Sequence, residues 1–303
     1  MDRRAPCLVT GASGFLGGQL VERLARTGDP VRAGVRDPSA YRAPEGVEVV
    51  AMDLEDERSV EGALEGAGAA YYLVHSMDEG DDAAAADRAA AEAFVRAADR
   101  ADLERIVYVG AVGYRPGGPN SPHLASRHEV ERILGSATAE LVVLRTSMVV
   151  GAGSASFRSL AEIVQRLPVL PLPPWRASRS QPIHVGDVLR CLARARSVPP
   201  GAYDLVGPDA LSVEEMMEAI ADALGRSLRT VPLPISVPAV EGPVAGAIAD
   251  EDRRLLTGLL ESLQRDTLAP ANDAPRVFGI EPTPFREAVR RAVAELGWLD
   301  ADG

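Results

Sequence analysis

Three glycines lie three residues apart near the start of the chain, in the segment Thr10-Gly11-Ala12-Ser13-Gly14-Phe15-Leu16-Gly17. The segment follows a short apolar run and precedes a helix-like stretch, the setting of a loop that binds a dinucleotide pyrophosphate. Gly11 would form the tight turn, Gly14 would let the backbone approach the phosphates, and Gly17 would let the helix pack on the sheet. Free N–H groups at the helix start would donate to the phosphates. We expect dinucleotide contacts from Gly11, Ser13, Gly14, Phe15, Leu16 and Gly17; the alternative is a glycine turn without a ligand.

Arg36 lies about 20 residues beyond this motif, where the second strand should end beside the adenosine ribose. A carboxylate at this place favours NAD, whereas a guanidinium favours a 2′-phosphate through charge-assisted bidentate bonds. Asp37 precedes Pro38 and is expected to start a turn, which leaves Arg36 to face the ribose. NADP(H) is therefore favoured as the cofactor, with NAD(H) as the alternative if Arg36 is only solvated at the strand end.

Short apolar runs alternate with helical stretches through the first half of the chain. This alternation is typical of β-α-β units that form a parallel sheet. The predicted strands are 7–10, 31–35, 47–51, 69–74, 106–109 and 141–144, and the predicted helices are 14–27, 59–65, 82–100 and 125–134. The fold class is therefore α/β, with a doubly wound parallel sheet of Rossmann type that carries helices on both faces.

The pattern changes beyond residue 150. Residues 167–175 contain four prolines, which remove backbone donors and fix φ, so a structured loop that forms one wall of a pocket is predicted. Helices are predicted at 212–224, 250–265 and 284–296, the first with a capping box between Ser212 and Glu215. Apolar character and position suggest that Met148, Phe157 and Trp175 line the substrate side together with the proline-rich loop.

Composition excludes several classes of protein. The net charge of −12 argues against a nucleic-acid-binding protein, which normally carries a basic surface. No apolar run approaches the roughly 18 residues that span a bilayer, and Cys7-Leu8-Val9 is too short for the core of a signal peptide. Cys7 and Cys191 show no metal-ligand spacing and are expected to be small buried side chains. We expect a cytoplasmic protein, a monomer or homodimer without a metal, that acts on a small molecule.

Several segments resemble the extended and atypical branches of the short-chain dehydrogenase/reductase superfamily. The glycine motif is similar to the superfamily's nucleotide motif, and residues 35–38 resemble the NADP side of NmrA-like members. Asp53-Leu54 resembles the pair whose carboxylate meets the adenine amino group. Residues 72–77 and 121–131 are similar to a bacterial NAD(P)H-binding subgroup close to the complex I accessory subunits. Residues 182–188 and 203–216 resemble late segments of the extended branch.

The resemblance implies a division of the chain. Residues 1–150 would form the NAD(P)-binding Rossmann domain, and residues 151–303 a smaller substrate-side region. Strands near 182–185 and 202–206 would interleave the second part with the sheet. The resemblance further places Val74, His75, Val109 and Gly110 beside the nicotinamide half of the cofactor, where the backbone of His75 is expected to matter more than its ring.

The catalytic pair of the superfamily is replaced in this chain. Active members carry a tyrosine and, four residues later, a lysine that lowers the tyrosine pKa and binds the nicotinamide ribose. This chain contains no lysine, and His123 and Arg127 align with the two positions. Four residues apart, they share a helix face. Arg127 can bind ribose hydroxyls, and His123 is expected to exchange a proton near neutral pH. The alternative is a histidine that only hydrogen-bonds the cofactor or backbone.

The superfamily's serine after the fifth strand is also missing, because Ala111 and Gly113 lie where a hydroxyl is expected. Tyr114 could reach the site but is more consistent with packing on its neighbours, and His184 matches a structural position. The sequence therefore predicts an NADP(H)-dependent oxidoreductase acting on a small apolar carbonyl or enone. The alternative is a catalytically silent NADP(H)-binding sensor or scaffold.

Overall fold

The computed structural model describes residues 5–75, 81–118, 120–233 and 264–298. The strands are β1 Cys7–Thr10, β2 Val31–Val35, β3 Glu48–Ala51, β4 Ala69–Tyr72, β5 Arg105–Ala111, β6 Glu140–Thr146, β7 Val149–Val150, β8 Val169–Leu172, β9 Arg179–Ser180, β10 Ile183–His184, β11 Gly201–Leu205, β12 Leu211–Ser212 and β13 Arg229–Pro232. The helices are α1 Phe15–Arg26, α2 Glu57–Leu64, α3 Asp81–Arg100, α4 Pro122–Leu134, α5 Ala155–Arg166, α6 Val185–Arg194, α7 Val213–Ala223, α8 Asp273–Phe278 and α9 Phe285–Leu296. None of the helices in these ranges is long and apolar enough to cross a membrane.

A seven-stranded parallel sheet lies at the centre, in the order β11-β6-β5-β4-β1-β2-β3. The chain runs outward from β1 through β2 to β3, then returns to the other side of β1 as β4. The strand order therefore reverses between β1 and β4, and the loops at the carboxyl ends of these two strands border a crevice. Ligands of open α/β sheets bind at such a reversal.

Helices cover both faces of this sheet. On one face, side chains of α1, α6 and α8 pack on the strands, including Leu20, Val188 and Phe278. On the other face, α2, α3 and α4 form a separate cluster that includes Phe94 and Val130. The predicted doubly wound Rossmann fold is confirmed. The two cysteines lie buried in the first cluster, as expected.

The predicted strands and helices of the first half are present, with boundaries shifted by a few residues. Strand β4 ends at Tyr72 rather than at residue 74 because the next backbone N–H, that of Leu73, donates to the Thr10 hydroxyl at 2.9 Å. Strands β5 and β6 are longer than predicted because their pairing continues to Ala111 and Thr146.

Beyond residue 150, a third apolar cluster joins α5, α7, α9 and β8. The prediction of a loop over residues 167–175 is wrong for residues 169–172, which form β8 and pair in parallel with β13. Prolines are tolerated there because β8 can act as acceptor: the Arg229 N–H donates to the Pro168 carbonyl at 3.1 Å, and the Leu233 N–H to the Leu172 carbonyl at 2.8 Å. Pro171 lies on this edge, where a missing donor costs little.

Four other predictions for this half have different outcomes. The strand predicted near 182–185 is the two-residue β10, which pairs with β7 outside the seven-stranded sheet, whereas β11 does extend the sheet beside β6. The predicted helix 250–265 lies outside the described residues up to 263, and residues 264–265 form a turn. The capping box of Ser212 and Glu215 is present at the start of α7.

Candidate functional site

The glycine loop leaves β1 in a conformation that requires glycine. Gly11 has a φ of 61°, and a Cβ atom on it would lie 3.1 Å from Cγ2 of Val74. A Cβ atom on Gly17 would overlap the Gly11 carbonyl oxygen, because α1 packs directly on the loop. The loop is thus pressed between the first turn of α1 and the residues that follow β4.

The first turn of α1 is free to bind an anion. Gly14 is the N-cap residue of α1 and has no side chain to accept a hydrogen bond. The first N–H groups of the helix are therefore available to a phosphate. Ser13 and Gly14 are exposed. The ring of Phe15 packs against the segment after β7, where a Cβ atom on Gly153 would lie 2.6 Å from the ring. Leu16 is partly buried and packs on the core.

The residues that follow β2 and β3 lie at the same edge of the sheet. Arg36 is exposed and makes no hydrogen bond or ion pair with any described residue. Asp37 instead accepts hydrogen bonds from the Ser39 hydroxyl at 2.6 Å and the Ser39 N–H at 2.9 Å, which lower the pKa of its carboxyl group. Asp37 therefore closes a turn, as the sequence predicted, and leaves the Arg36 guanidinium available.

Asp53 follows β3 and is also exposed. Its N–H donates to the Ser59 hydroxyl at 2.8 Å, and its carboxylate accepts the Glu55 N–H at 3.1 Å. Leu54 is partly buried and packs on the core formed with α2 and α3. The backbone of Asp53 is therefore held by the start of α2.

On the other side of the reversal, α4 lies along the ends of β4 and β5. The Tyr108 hydroxyl donates to the Arg127 carbonyl at 3.2 Å, and the rings of Tyr72 and Tyr108 lie 6.2 Å apart. Val109 is partly buried and Gly110 is buried at the end of β5. The electrostatic effects of His123 and Arg127 on His75 place the start of α4 near the segment after β4, where Val74 borders the glycine loop.

His75, His123 and Arg127 form one electrostatic cluster. Water reaches the His123 ring, but the protein around it and the charge of Arg127 lower its pKa to about 4, against a smaller opposing effect of Asp87. Burial, Arg127 and His123 lower the pKa of the partly buried His75 as well. Both rings are therefore neutral at pH 7. This lowered pKa lies below the near-neutral ionisation that the sequence predicts for His123, because the sequence does not reveal how much protein surrounds the ring.

Arg127 has unused donors. Its side chain is partly buried, and it makes no hydrogen bond or ion pair with the residues that the structure describes. The Glu131 carboxylate, one turn further along α4, accepts a hydrogen bond from Nε of Arg145 at 3.0 Å instead. A guanidinium presents five N–H donors in a fixed plane. Arg127 can therefore bind hydroxyl or phosphate oxygens of a ligand in the crevice.

The predicted substrate wall requires a correction. Phe157 is fully buried in the third apolar cluster, where α5 packs against α7, and cannot line a pocket. Met148 and Trp175 are partly buried and pack on the same cluster. Tyr114 stacks on His128 with ring centroids 3.8 Å apart, as its packing role predicted. The ring of His184 caps α6 through Nδ1, which accepts the Gly186 N–H at 3.2 Å.

One contact near the site had no indication in the sequence. Gly113, just after β5, has a φ of 95°, and a Cβ atom on it would lie 3.2 Å from Cγ2 of Thr267. The segment around Thr267 therefore covers the loop that follows β5. Residues so distant in sequence are brought together only by the packing of the C-terminal region.

Comparisons with known proteins agree with this geometry. A family described as NAD(P)H-binding matches residues 11–149. The chain is 31% identical over 245 residues to a ceramide reductase of Caulobacter vibrioides, covering 77% of this chain and 75% of that protein. It is 26% identical to subunit 9 of the NADH dehydrogenase [ubiquinone] 1 alpha subcomplex of Arabidopsis thaliana, over 80% of this chain and 61% of that subunit. In fold it is similar to a Thermus thermophilus UDP-glucose 4-epimerase, with a TM-score of 0.73, 21% identity, and coverage of 96% and 99% of the two chains.

Proposed function

This chain belongs to the short-chain dehydrogenase/reductase superfamily as an NAD(P)H-dependent oxidoreductase, and from that premise we propose that it uses NADPH to reduce a carbonyl or enone group of an apolar small molecule. The observation that carries the proposal is that Arg127 and two neutral histidines cluster near the segment after β4, whose Val74 borders the glycine loop. The relative named ceramide reductase supports an apolar substrate. In this proposal the protein binds only small molecules, the cofactor and the substrate, and acts as a monomer or homodimer.

The residues present fit a dinucleotide. A Cβ atom would overlap backbone at Gly17 and press on Val74 at Gly11, and the start of α1 is uncapped by any side chain. The exposed Arg36 would hold the 2′-phosphate, Asp53 would meet the adenine, and Arg127 would bind the nicotinamide ribose. When bound, NADPH supplies a hydride to the substrate carbon.

His123 would then donate the proton that the substrate oxygen takes up. As a neutral ring it can donate a hydrogen bond to the substrate oxygen, and negative charge that develops on this oxygen favours the protonated ring. Because water reaches His123, the ring can take a proton from solvent and pass it to the oxygen as the alkoxide forms. The substrate carbonyl would thereby become an alcohol, whose hydroxyl proton comes from His123.

The cofactor assignment predicts the behaviour of Arg36→Ala. The wild type should bind NADPH at least several-fold more tightly than NADH, and the variant should lose this preference. One charge-assisted pair contributes about 1.5–3 kcal/mol, so we expect NADPH affinity to fall about tenfold to a hundredfold while NADH affinity stays the same. Calorimetric titration with both cofactors measures this. The control is Arg226→Ala, which removes an exposed arginine from the C-terminal region. Equal wild-type affinities for the two cofactors would contradict the NADP assignment.

The reaction itself is tested by a screen. Purified protein is mixed with NADPH and a panel of aldehydes, ketones, quinones and enones, including long-chain 2-alkanones, and loss of NADPH absorbance is followed. We expect turnover with apolar ketones or enones. If NADPH binds but none of the panel is reduced, the sensor or scaffold alternative replaces the reductase.

A further inference from the structure

The loop after β5 touches a side chain from the C-terminal region. An ideal Cβ atom on Gly113 would lie 3.2 Å from Cγ2 and 3.4 Å from Cβ of Thr267. Only a residue without a side chain leaves this space, and its φ of 95° also favours glycine. Thr267 therefore fills the place that a side chain after β5 would otherwise occupy.

The segment that carries Thr267 is held by backbone hydrogen bonds. The Thr267 N–H donates to the Arg179 carbonyl at 2.8 Å, and the Arg179 N–H donates to the Asp266 carboxylate at 2.8 Å. The Ala269 N–H donates to the side-chain oxygen of Gln181 at 3.0 Å. These bonds fix the segment on both sides of Thr267, so the position of its side chain does not depend on the Gly113 contact alone.

The end of β5 has no hydroxyl group of its own. Its last residues and those that follow are Val109, Gly110, Ala111, Val112 and Gly113. The Thr267 hydroxyl, by contrast, belongs to a partly buried side chain and makes no hydrogen bond with the described residues. A donor without a partner among the described residues thus lies beside Gly113, in the loop that follows β5 at the carboxyl edge of the sheet.

We propose that the Thr267 hydroxyl donates a hydrogen bond to the oxygen of the substrate carbonyl, and that the C-terminal region thereby supplies the hydroxyl that β5 lacks. This inference rests on the proposed reductase function and names a substrate-binding residue of the same site. The carbonyl oxygen of the substrate must then lie within hydrogen-bond distance of the Thr267 hydroxyl, beside the contact of Thr267 with the loop after β5. Thr267 would thus favour substrates whose carbonyl oxygen reaches its hydroxyl.

The test compares Thr267→Val with Thr267→Ser. Valine keeps the shape that packs on Gly113 but removes the hydroxyl, whereas serine keeps the hydroxyl. With NADPH and the best ketone of the panel, we expect kcat/KM to fall about tenfold or more in the valine variant, because the carbonyl oxygen loses its donor. The serine variant should stay within about threefold of wild type. NADPH affinity should be unchanged in both.

Thr138→Val is the matched control, because the Thr138 hydroxyl bonds Asp99 and lies before β6, at the opposite edge of the sheet. This control should retain wild-type kcat/KM. A valine variant as active as wild type overturns the inference, and so does an equal loss in the valine and serine variants, which would indicate packing. A wild type that reduces none of the panel overturns the proposed function, and the inference falls with it.

Discussion

His123→Ala should lower the turnover number for carbonyl reduction by about 10²–10⁴-fold, the usual contribution of a positioned acid/base group. NADPH affinity should change little, because Arg127 rather than His123 is expected to bind the ribose. Single-turnover reduction of a panel ketone by preformed NADPH complex separates the chemical step from binding. His128→Ala is the matched control, since that ring, on the same helix, stacks on Tyr114. Turnover that survives in His123→Ala would leave the reductase standing but remove the acid/base assignment.

The lowered pKa of His123 also predicts how the rate of carbonyl reduction changes with pH. Because the surrounding protein and Arg127 lower the pKa to about 4, only a small fraction of the ring is protonated at pH 7. If proton donation limits reduction, kcat should rise as the pH falls from 8 towards 5, by up to about tenfold per pH unit. Alcohol oxidation with NADP⁺ uses the neutral ring as base and should stay flat over that range. His123→Ala should abolish the slope of reduction. A bell-shaped profile centred at neutrality would contradict the lowered pKa.

Arg127→Ala tests the other half of the pair. Loss of its donors to the nicotinamide ribose should weaken NADPH binding by about tenfold. Loss of the neighbouring positive charge should also raise the pKa of His123 towards its ordinary value. The pH at which reduction reaches its plateau should therefore move upward in this variant, a shift that a purely structural role for Arg127 would not produce.

The parts of the fold that sequence could predict are those encoded locally. The glycine motif, the apolar strands and the capping box of Ser212 and Glu215 each depend on residues within a few positions of one another. Even the place of Asp37 in a turn followed from the proline after it. For such features, hydrogen bonds within one segment decide the conformation, so the pattern of residues is enough.

The features that sequence missed depend on distant partners. Residues 169–172 form a strand because the N–H groups of β13 donate to their carbonyls, which the prolines do not prevent. The apolar character of Phe157 predicts a place in a pocket wall, but only the packing of α5 on α7 shows that the ring is buried. The contact of Thr267 with Gly113 and the lowered pKa of His123 likewise arise from groups that the chain brings together only on folding.

Gly14→Val should remove dinucleotide binding while leaving the protein folded. Gly14 has an ordinary extended conformation and is exposed, and a Cβ atom on it would lie 3.2 Å from the Gly11 carbonyl oxygen, a tight contact that a small shift of the loop relieves. The valine would nevertheless occupy the space over the first N–H groups of α1, where the pyrophosphate is expected. Loss of two charge-assisted hydrogen bonds, at about 1.5–3 kcal/mol each, lowers affinity by more than about a hundredfold. Calorimetric titration with NADPH measures the affinity, and thermal unfolding without cofactor measures the stability.

Gly17→Ala provides the contrast, because the two glycines serve different purposes. A Cβ atom on Gly17 would overlap the Gly11 carbonyl oxygen, which is backbone and cannot rotate away. Even this single methyl group must push α1 from the loop, so we expect a loss of about 1–3 kcal/mol in the free energy of unfolding, with or without cofactor. Without NADPH, Gly14→Val should lower the Tm less than Gly17→Ala does, because its Cβ atom would lie 3.2 Å from the Gly11 carbonyl oxygen instead of overlapping it. Normal NADPH affinity in Gly14→Val would show that the pyrophosphate binds elsewhere, and an unchanged Tm in Gly17→Ala would show that α1 is not pressed against the loop.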